Sequence, residues 1–241
     1  MEPQPRLRLH AWARLSWALI ALACVGCGSD GETDSGTAQP GIDPFCETRP
    51  RIEFCEDFDG IELPGAFAEQ RSELSTMSIS TDEASSAPES LKITVESGGS
   101  AILAQSFEAG GKLRLFGMVF VPELGTGDVK LGAFVIDGYH IGFGASDDGS
   151  LWAYEGETRL PGTGTLPLGK WASFRWDVNI YDDGTGTANL RFGNDVMFET
   201  DALTTPGAPE SPAVEVGVFE ATGPWAMYFD NVTVSIGEAN Q

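Results

Sequence analysis

Trp171–Ile180 reads WASFRWDVNI, and its reading decides the fold. Ala172, Phe174, Trp176, Val178 and Ile180 fall on one parity, while Trp171, Ser173, Arg175, Asp177 and Asn179 fall on the other. Period two over ten residues is a β-strand with one buried and one polar face; a helix would space its apolar residues by three and four. Leu91, Ile93 and Val95 alternate in the same way with Ser90, Lys92, Thr94 and Glu96. Similar stretches lie near 52–58, 75–80, 101–107, 112–121, 129–136, 139–145, 150–155, 187–192, 195–199, 213–220 and 225–236, and no window keeps a 3.6-residue repeat over three turns. About a dozen strands predict an all-β, two-sheet antiparallel sandwich rather than a small barrel.

The connections agree. Thirty Gly and fourteen Pro disfavour long helices, and Asp137-Gly138, Asp148-Gly149 and Asp183-Gly184 are hairpin signals. Asp147-Asp148-Gly149 and Asp182-Asp183-Gly184 also resemble pieces of calcium loops but lack the spaced carboxylates of an EF-hand, so the turn reading is preferred. Phe116, Met118 and Phe120, with Val119 and Val121 on the opposite parity, describe a central strand covered on both sides. In the last strand Tyr228, Val232, Val234 and Ile236 share a parity, which turns Asp230 inward unless a bulge intervenes. A buried carboxylate needs a charge partner, hydrogen bonds or a metal.

The chain of 241 residues carries 36 acids against 14 bases, a net charge of −22. Nucleic acid and anionic membrane faces are thereby disfavoured as partners. Arg6, Arg8 and Arg14 precede an eleven-residue apolar run, Leu15–Val25, too short to span a bilayer. A positive start, a short apolar stretch and small residues read as a signal peptide over 1–26. The stretch ALACVGCGSD resembles a lipoprotein lipobox: Cys27, after Val25 and Gly26, fits best as the lipidated residue, Cys24 is the alternative, and cleavage without a lipid is the simpler option. Residues 27–44 then form a flexible acidic tether, because Ser29–Pro44 contains one Ile, one Ala and no aromatic residue. Residues 45–237 form the sandwich domain, 238–241 a tail.

Past residue 27 only Cys46 and Cys55 remain. In an exported chain they pair by default, and so short a loop stabilises by roughly 2–3 kcal/mol. His140 is the one histidine beyond the signal, which excludes His-rich zinc sites and mechanisms needing two imidazoles.

Phe54-Cys55-Glu56-Asp57-Phe58-Asp59, Gly169-Lys170-Trp171-Ala172-Ser173-Phe174-Arg175-Trp176 and Tyr228-Phe229-Asp230-Asn231-Val232-Thr233-Val234 together resemble the concanavalin A-like lectin/glucanase superfamily, including laminin-G-like jelly rolls. The resemblance covers roughly residues 50–237 as a strand pattern. It implies a jelly roll whose first and last strands pair and, in many relatives, carbohydrate binding or cleavage on the concave sheet. It also implies a structural calcium held by Asp57 or Asp59 with Asp230; backbone N–H bonds at a bulge are the competing role for Asp230.

Retaining glycosidases of the superfamily carry Glu-x-Asp-x-x-Glu. In Val214–Glu220 (VEVGVFE), Glu215 and Glu220 have opposite parity, so on a regular strand the two acids point apart, and nothing at Gly217 demands a bulge. Jelly-roll lyases show Gln-x-His; Tyr139-His140-Ile141 has no Gln before His140. His140 remains a lone candidate base, with Arg175 to neutralise a substrate carboxylate and Tyr154 to donate a proton. Gly164-x-x-x-x-Gly169-Lys170 imitates a phosphate loop, but Trp171 replaces the Ser or Thr and a strand follows, so it is a turn.

The stronger signal is aromatic. Trp152 and Tyr154 share one face of a strand, and Trp171 shares another with Arg175 and Asp177. If these strands adjoin, they form a groove with His140 in which sugars stack; the alternative is that the rings are core or cover residues. The expectation is therefore a monomeric bacterial lipoprotein, exported and held at the outer membrane or cell surface only by its lipid. Its sandwich binds glycans without catalysis and requires no cofactor beyond the implied calcium. A polysaccharide lyase or glycoside hydrolase using His140 or Glu215, and an adhesion module contacting another surface protein, are the alternatives.

Overall fold

A computed structural model describes residues 45–238 apart from 50, 51, 64, 66, 206, 208 and 209. The signal segment, both lipidation candidates, the tether and residues 239–241 of the tail lie outside the described residues. Within them the chain forms fifteen strands: β1 (Phe54–Glu56), β2 (Ala68–Arg71), β3 (Ser75–Ser80), β4 (Ser90–Val95), β5 (Ala101–Ser106), β6 (Lys112–Phe120), β7 (Val129–Ile136), β8 (Tyr139–Ala145), β9 (Ser150–Glu155), β10 (Thr158–Thr165), β11 (Trp171–Ile180), β12 (Thr185–Phe192), β13 (Asp195–Thr204), β14 (Ala213–Val218) and β15 (Trp225–Gly237). Two escape the period-two reading. Strand β2 is only four residues long, and β10 (TRLPGTGT) carries Pro161 and two Gly with no apolar alternation.

Sheet A has the order β13-β12-β11-β6-β15-β4-β3, with β1 also on β15; sheet B has the order β10-β9-β8-β7-β14-β5-β2. Every pairing is antiparallel, and the two sheets pack as the expected jelly-roll-like sandwich. The first strand does pair with the last, Cys55 standing opposite Thr233. Cys46 and Cys55 form the expected disulfide.

Strand β11 lies in the middle of sheet A, and its apolar parity enters the core: Phe174, Trp176, Val178 and Ile180 are at most 1% exposed. Trp176 reaches across the sandwich, its ring packing on Phe143 and Phe198 and its indole N–H donating to the Ile141 carbonyl of sheet B at 3.2 Å. That bond satisfies the one polar atom a buried Trp brings with it.

Two of the three hairpin aspartates fold back on their own turns. Asp148 accepts from Ser150 N–H, and Asp183 accepts from Thr185 N–H and hydroxyl, the turn reading rather than the calcium one. Strand β15 does contain a bulge, between Asp230 and Thr233, with Asn231 at φ 53°. It flips the parity, so Met227 and Phe229 face the core before it and Val232 and Val234 after it. Asp230 consequently belongs to the outer parity of sheet A, correcting its inward assignment. It is nevertheless fully buried, with Ser85 and Ser86 hydrogen-bonded to its carboxylate.

Candidate functional site

Strand β9 splits its residues between the two faces of sheet B. Leu151 and Ala153 join the main core; Trp152 and Tyr154 join a separate cluster with Ala133 and Phe219 on the outer face. Large rings on an outer face are normally half wet, yet Trp152 and Tyr154 are only 5% and 3% exposed. The cause lies one strand away. Gly142 and Gly144 of β8 are the cross-strand partners of Tyr154 and Trp152, and the rings lie flat over them. A Cβ at Gly142 would sit 2.5 Å from the Tyr154 oxygen, and one at Gly144 2.7 Å from the Trp152 ring. Cations close the other side: the Arg159 guanidinium lies 4.5 Å from the Trp152 ring centroid and the Lys130 ammonium 5.0 Å from that of Tyr154. Asp128 and the Ser146 hydroxyl hold Arg159 at 2.7 and 2.6 Å, so Trp152 is capped and stands beside the cleft rather than in it.

The cleft has a volume of about 620 Å³ and is lined by Gln70, Lys130, Tyr139, His140, Tyr154, Glu157, Glu215, Phe219 and Glu220 among others. His140 and Glu215 approach from β8 and β14, on either side of β7, and pair at 3.3 Å (Nε2 to Oε2). Small Ala133 of β7, directly opposite Glu215, leaves room for Tyr154 and Phe219 to pack over the strand. Pairing with Glu215 raises the imidazole pKa above its ordinary value, and partial burial works against it. Burial first, and then the charges of Glu215 and Glu220, lift the Tyr154 phenol far above its usual range, so it stays protonated. Its hydroxyl engages no hydrogen-bond partner among the described residues. A buried, unpaired hydroxyl costs about 1–3 kcal/mol.

Glu220 corrects the sequence reading. Strand β14 pairs with β7 only as far as Val216 opposite Gly132. Pairing then resumes as Phe219 N–H to Lys130 O and Lys130 N–H to Glu220 O, where a regular register would put residue 218 opposite Lys130. Strand β14 itself is regular through Val218, which enters the core like Val216; the alternation breaks at Phe219–Glu220, before Ala221 re-enters the core. Both Glu215 and Glu220 therefore line the cleft, and Glu220 binds Lys130 at 2.7 Å.

Trp171, Arg175 and Asp177 are elsewhere. Their strand belongs to sheet A, and their parity is opposite to the core, so they lie on the far side of the sandwich from His140 and Tyr154. The single groove premised on adjoining strands is thus two surfaces, and Arg175 is in no position to serve a reaction at His140. The carboxylates assigned to calcium do not converge either. Asp57 accepts from Cys46 and Asp59 N–H, and Asp59 from Glu89 N–H. Asp230 accepts from the N–H groups of Ser85, Ser86 and Asn231 and from the Ser86 hydroxyl. Among the described residues no three His, Cys, Asp or Glu side chains gather as a metal site. Asp230 thus accepts backbone N–H bonds at the bulge.

The arrangement is a pocket lined about evenly by polar and apolar groups over an aromatic floor, able to exchange hydrogen bonds through a phenol, an imidazole, an amide, an ammonium and carboxylates. Sequence reasoning missed Gln70, Lys130, Tyr139, Glu157 and Phe219. The alternation of Gly142 and Gly144 opposite Trp152 and Tyr154 was the available signal for a ring-covered face.

The fold is that of a β-sandwich jelly roll, and comparison with solved structures bears this out. The chain is similar to an endo-β-1,4-glucuronan lyase from the fungus Trichoderma reesei (14% identity, TM-score 0.60, covering 77% of this chain and 95% of that one). It is also similar to the cellulose-induced protein Cip1 (16%, 0.61, 78% and 100%) and to a PL-14 alginate lyase from Aplysia kurodai (16%, 0.54, 66% and 87%). No family model and no curated protein matches the sequence.

Proposed function

We propose that this protein binds glycans without cleaving them, in the cleft on the outer face of sheet B. The buried, unpartnered Tyr154 hydroxyl beside the His140–Glu215 pair carries this reading. A sugar hydroxyl can both donate to and accept from such groups, and placed polar atoms over an aromatic floor are what recognise it. Several of the proteins with this fold are polysaccharide lyases by name, which agrees with a carbohydrate ligand. A lyase is the second reading, favoured by the presence of His140, Tyr154 and Lys130 in one cleft. Against it, pairing with Glu215 shifts His140 toward its protonated form, which makes it a poorer acceptor of a proton, and Glu220 already neutralises Lys130. Glu157, Glu215 and Glu220 would also repel a uronate, so the preferred ligand is an uncharged chain. Export and anchoring through a lipid on Cys27, or Cys24, complete the proposal: a surface lipoprotein presenting a lectin domain.

Affinity electrophoresis through gels containing neutral and acidic polysaccharides tests it. The expected result is retardation in a neutral-glycan gel, with affinity reduced roughly tenfold by Tyr154→Phe, the worth of one hydrogen bond. Release of unsaturated sugar ends from a uronate gel would establish the lyase. Absence of retardation in every gel would turn the reading to a protein partner.

A further inference from the structure

The outer face of sheet A carries a different kind of surface. Of the eleven Lys and Arg that follow residue 26, four (Lys112, Arg114, Arg175 and Arg191) stand on the outward parity of three adjacent strands, β6, β11 and β12. Asp177 is the one carboxylate on those three strands' outward faces, and Glu199 borders them from β13 opposite Asn189. On a chain of net charge −22 this is a local excess of positive charge.

The guanidinium groups are held in place. Asp177, with its side chain 17% exposed, is shared by two of them: Arg114 Nε at 2.5 Å and Arg175 Nε at 2.8 Å. Arg191 Nε donates to the Asn189 amide oxygen at 3.0 Å. The Nε atoms of Arg114 and Arg191 are tied by hydrogen bonds and that of Arg175 by its charge contact with Asp177 alone, and among the described residues no hydrogen bond or ion pair engages the outer Nη atoms. Arg175 and Arg191 are moreover direct cross-strand partners. Like charges directly opposite one another destabilise a sheet. An anion seated between two such forks would relieve that repulsion through paired N–H···O bonds.

Phe116 is the β6 partner of Arg175, and further along β6 the Phe120 ring lies 5.7 Å from that of Trp171. The anion site therefore opens onto half-buried rings on which sugar faces can lie. We infer that the outer face of sheet A is a second binding site, selective for acidic polysaccharides bearing sulfate or carboxylate groups. The site is small: four cations offset by Asp177 match a chain with one anionic group every sugar or two. A nucleic acid, with one charge per about 1.7 Å of duplex, would bring far more phosphate against this acidic molecule than they neutralise. The inference is independent of the sheet B cleft.

The test is affinity electrophoresis of the intact protein at low ionic strength through gels containing dextran sulfate, polygalacturonate, plain dextran or DNA. Retardation by a polyanionic polysaccharide is expected, lost on raising the salt and weakened roughly tenfold or more in an Arg175→Ala/Arg191→Ala variant. Dextran sulfate alone would identify sulfate as the recognised group, and polygalacturonate alone carboxylate. Tyr154→Phe should leave this retardation unchanged, which separates it from the cleft. No retardation by either polyanion, equal retardation by DNA, or undiminished retardation of the folded double variant would each overturn the assignment and leave these arginines as structural ion pairs.

Discussion

The two outer faces of this sandwich rest on one shared core yet reach opposite solutions. On sheet B, two glycines let aromatic rings collapse onto the strands, and acidic side chains wall a cleft above them. On sheet A, the outward positions of the central strands carry arginines paired to one aspartate, which leaves a cationic surface beside half-buried rings. The difference teaches that a cleft on a regular sheet is made by what is missing from the neighbouring strand.

The sharpest way to break this comparison is to restore a Cβ on sheet B. Gly142→Val would collide with Tyr154 and with the Gly132 carbonyl, and should cost about 3 kcal/mol in denaturant unfolding. Ser173→Val, an equally small change on the outer face of sheet A, should stay within about 0.5 kcal/mol. Equal costs would mean that the rings do not depend on the glycines.

A second test uses one buried or paired titrating group on each side. Burial pushes the Asp230 carboxyl up to about 6, against the pull of its four donors. The folded state then binds a proton that the unfolded chain has released, so stability should fall by about 1–3 kcal/mol as pH rises from about 4 to about 6. His140 is raised by Glu215, so its pair contributes fully below about 6.5 and is lost as pH climbs through the folded-state value. Asp230→Asn should flatten the lower window only, and Glu215→Gln the upper only. Stability curves in which either variant flattened both would show that the two faces are coupled.

The smallest effect concerns the arginines. Arg191→Ser removes a like charge opposite Arg175 and gives up one half-buried hydrogen bond to a residue of its own strand, so thermal unfolding should move by less than about 0.5 kcal/mol, toward greater stability. A large loss would assign Arg191 to the fold rather than to binding.

Much of the fold was legible in the chain, for a local reason. Period two, read in Trp171–Ile180, named the buried parity correctly because a strand's alternation is built into its backbone. The aspartate turns and the disulfide were legible because they too span few residues. Failures came where a single residue reset the alternation. Asn231 in the bulge moved Asp230 to the outer parity, and the break in alternation after Val218 brought Glu220 to the side of Glu215. The candidate site was half visible. His140, Tyr154 and Glu215 were named and do meet, whereas Lys130 and Glu220 were not seen to join them.

By itself, then, the sequence determined a sandwich of alternating strands, its core residues, its turns and its Cys46–Cys55 bond. Only the tertiary structure decided that Trp152 and Trp171 lie on opposite faces of the molecule. Alternation states which residues of one strand share a side. Which sheet the strand joins depends on hydrogen-bonded partners far away in sequence, as β15 is from β4 or β14 from β5. Sites assembled from several strands are written in that pairing, and no single stretch of chain contains it.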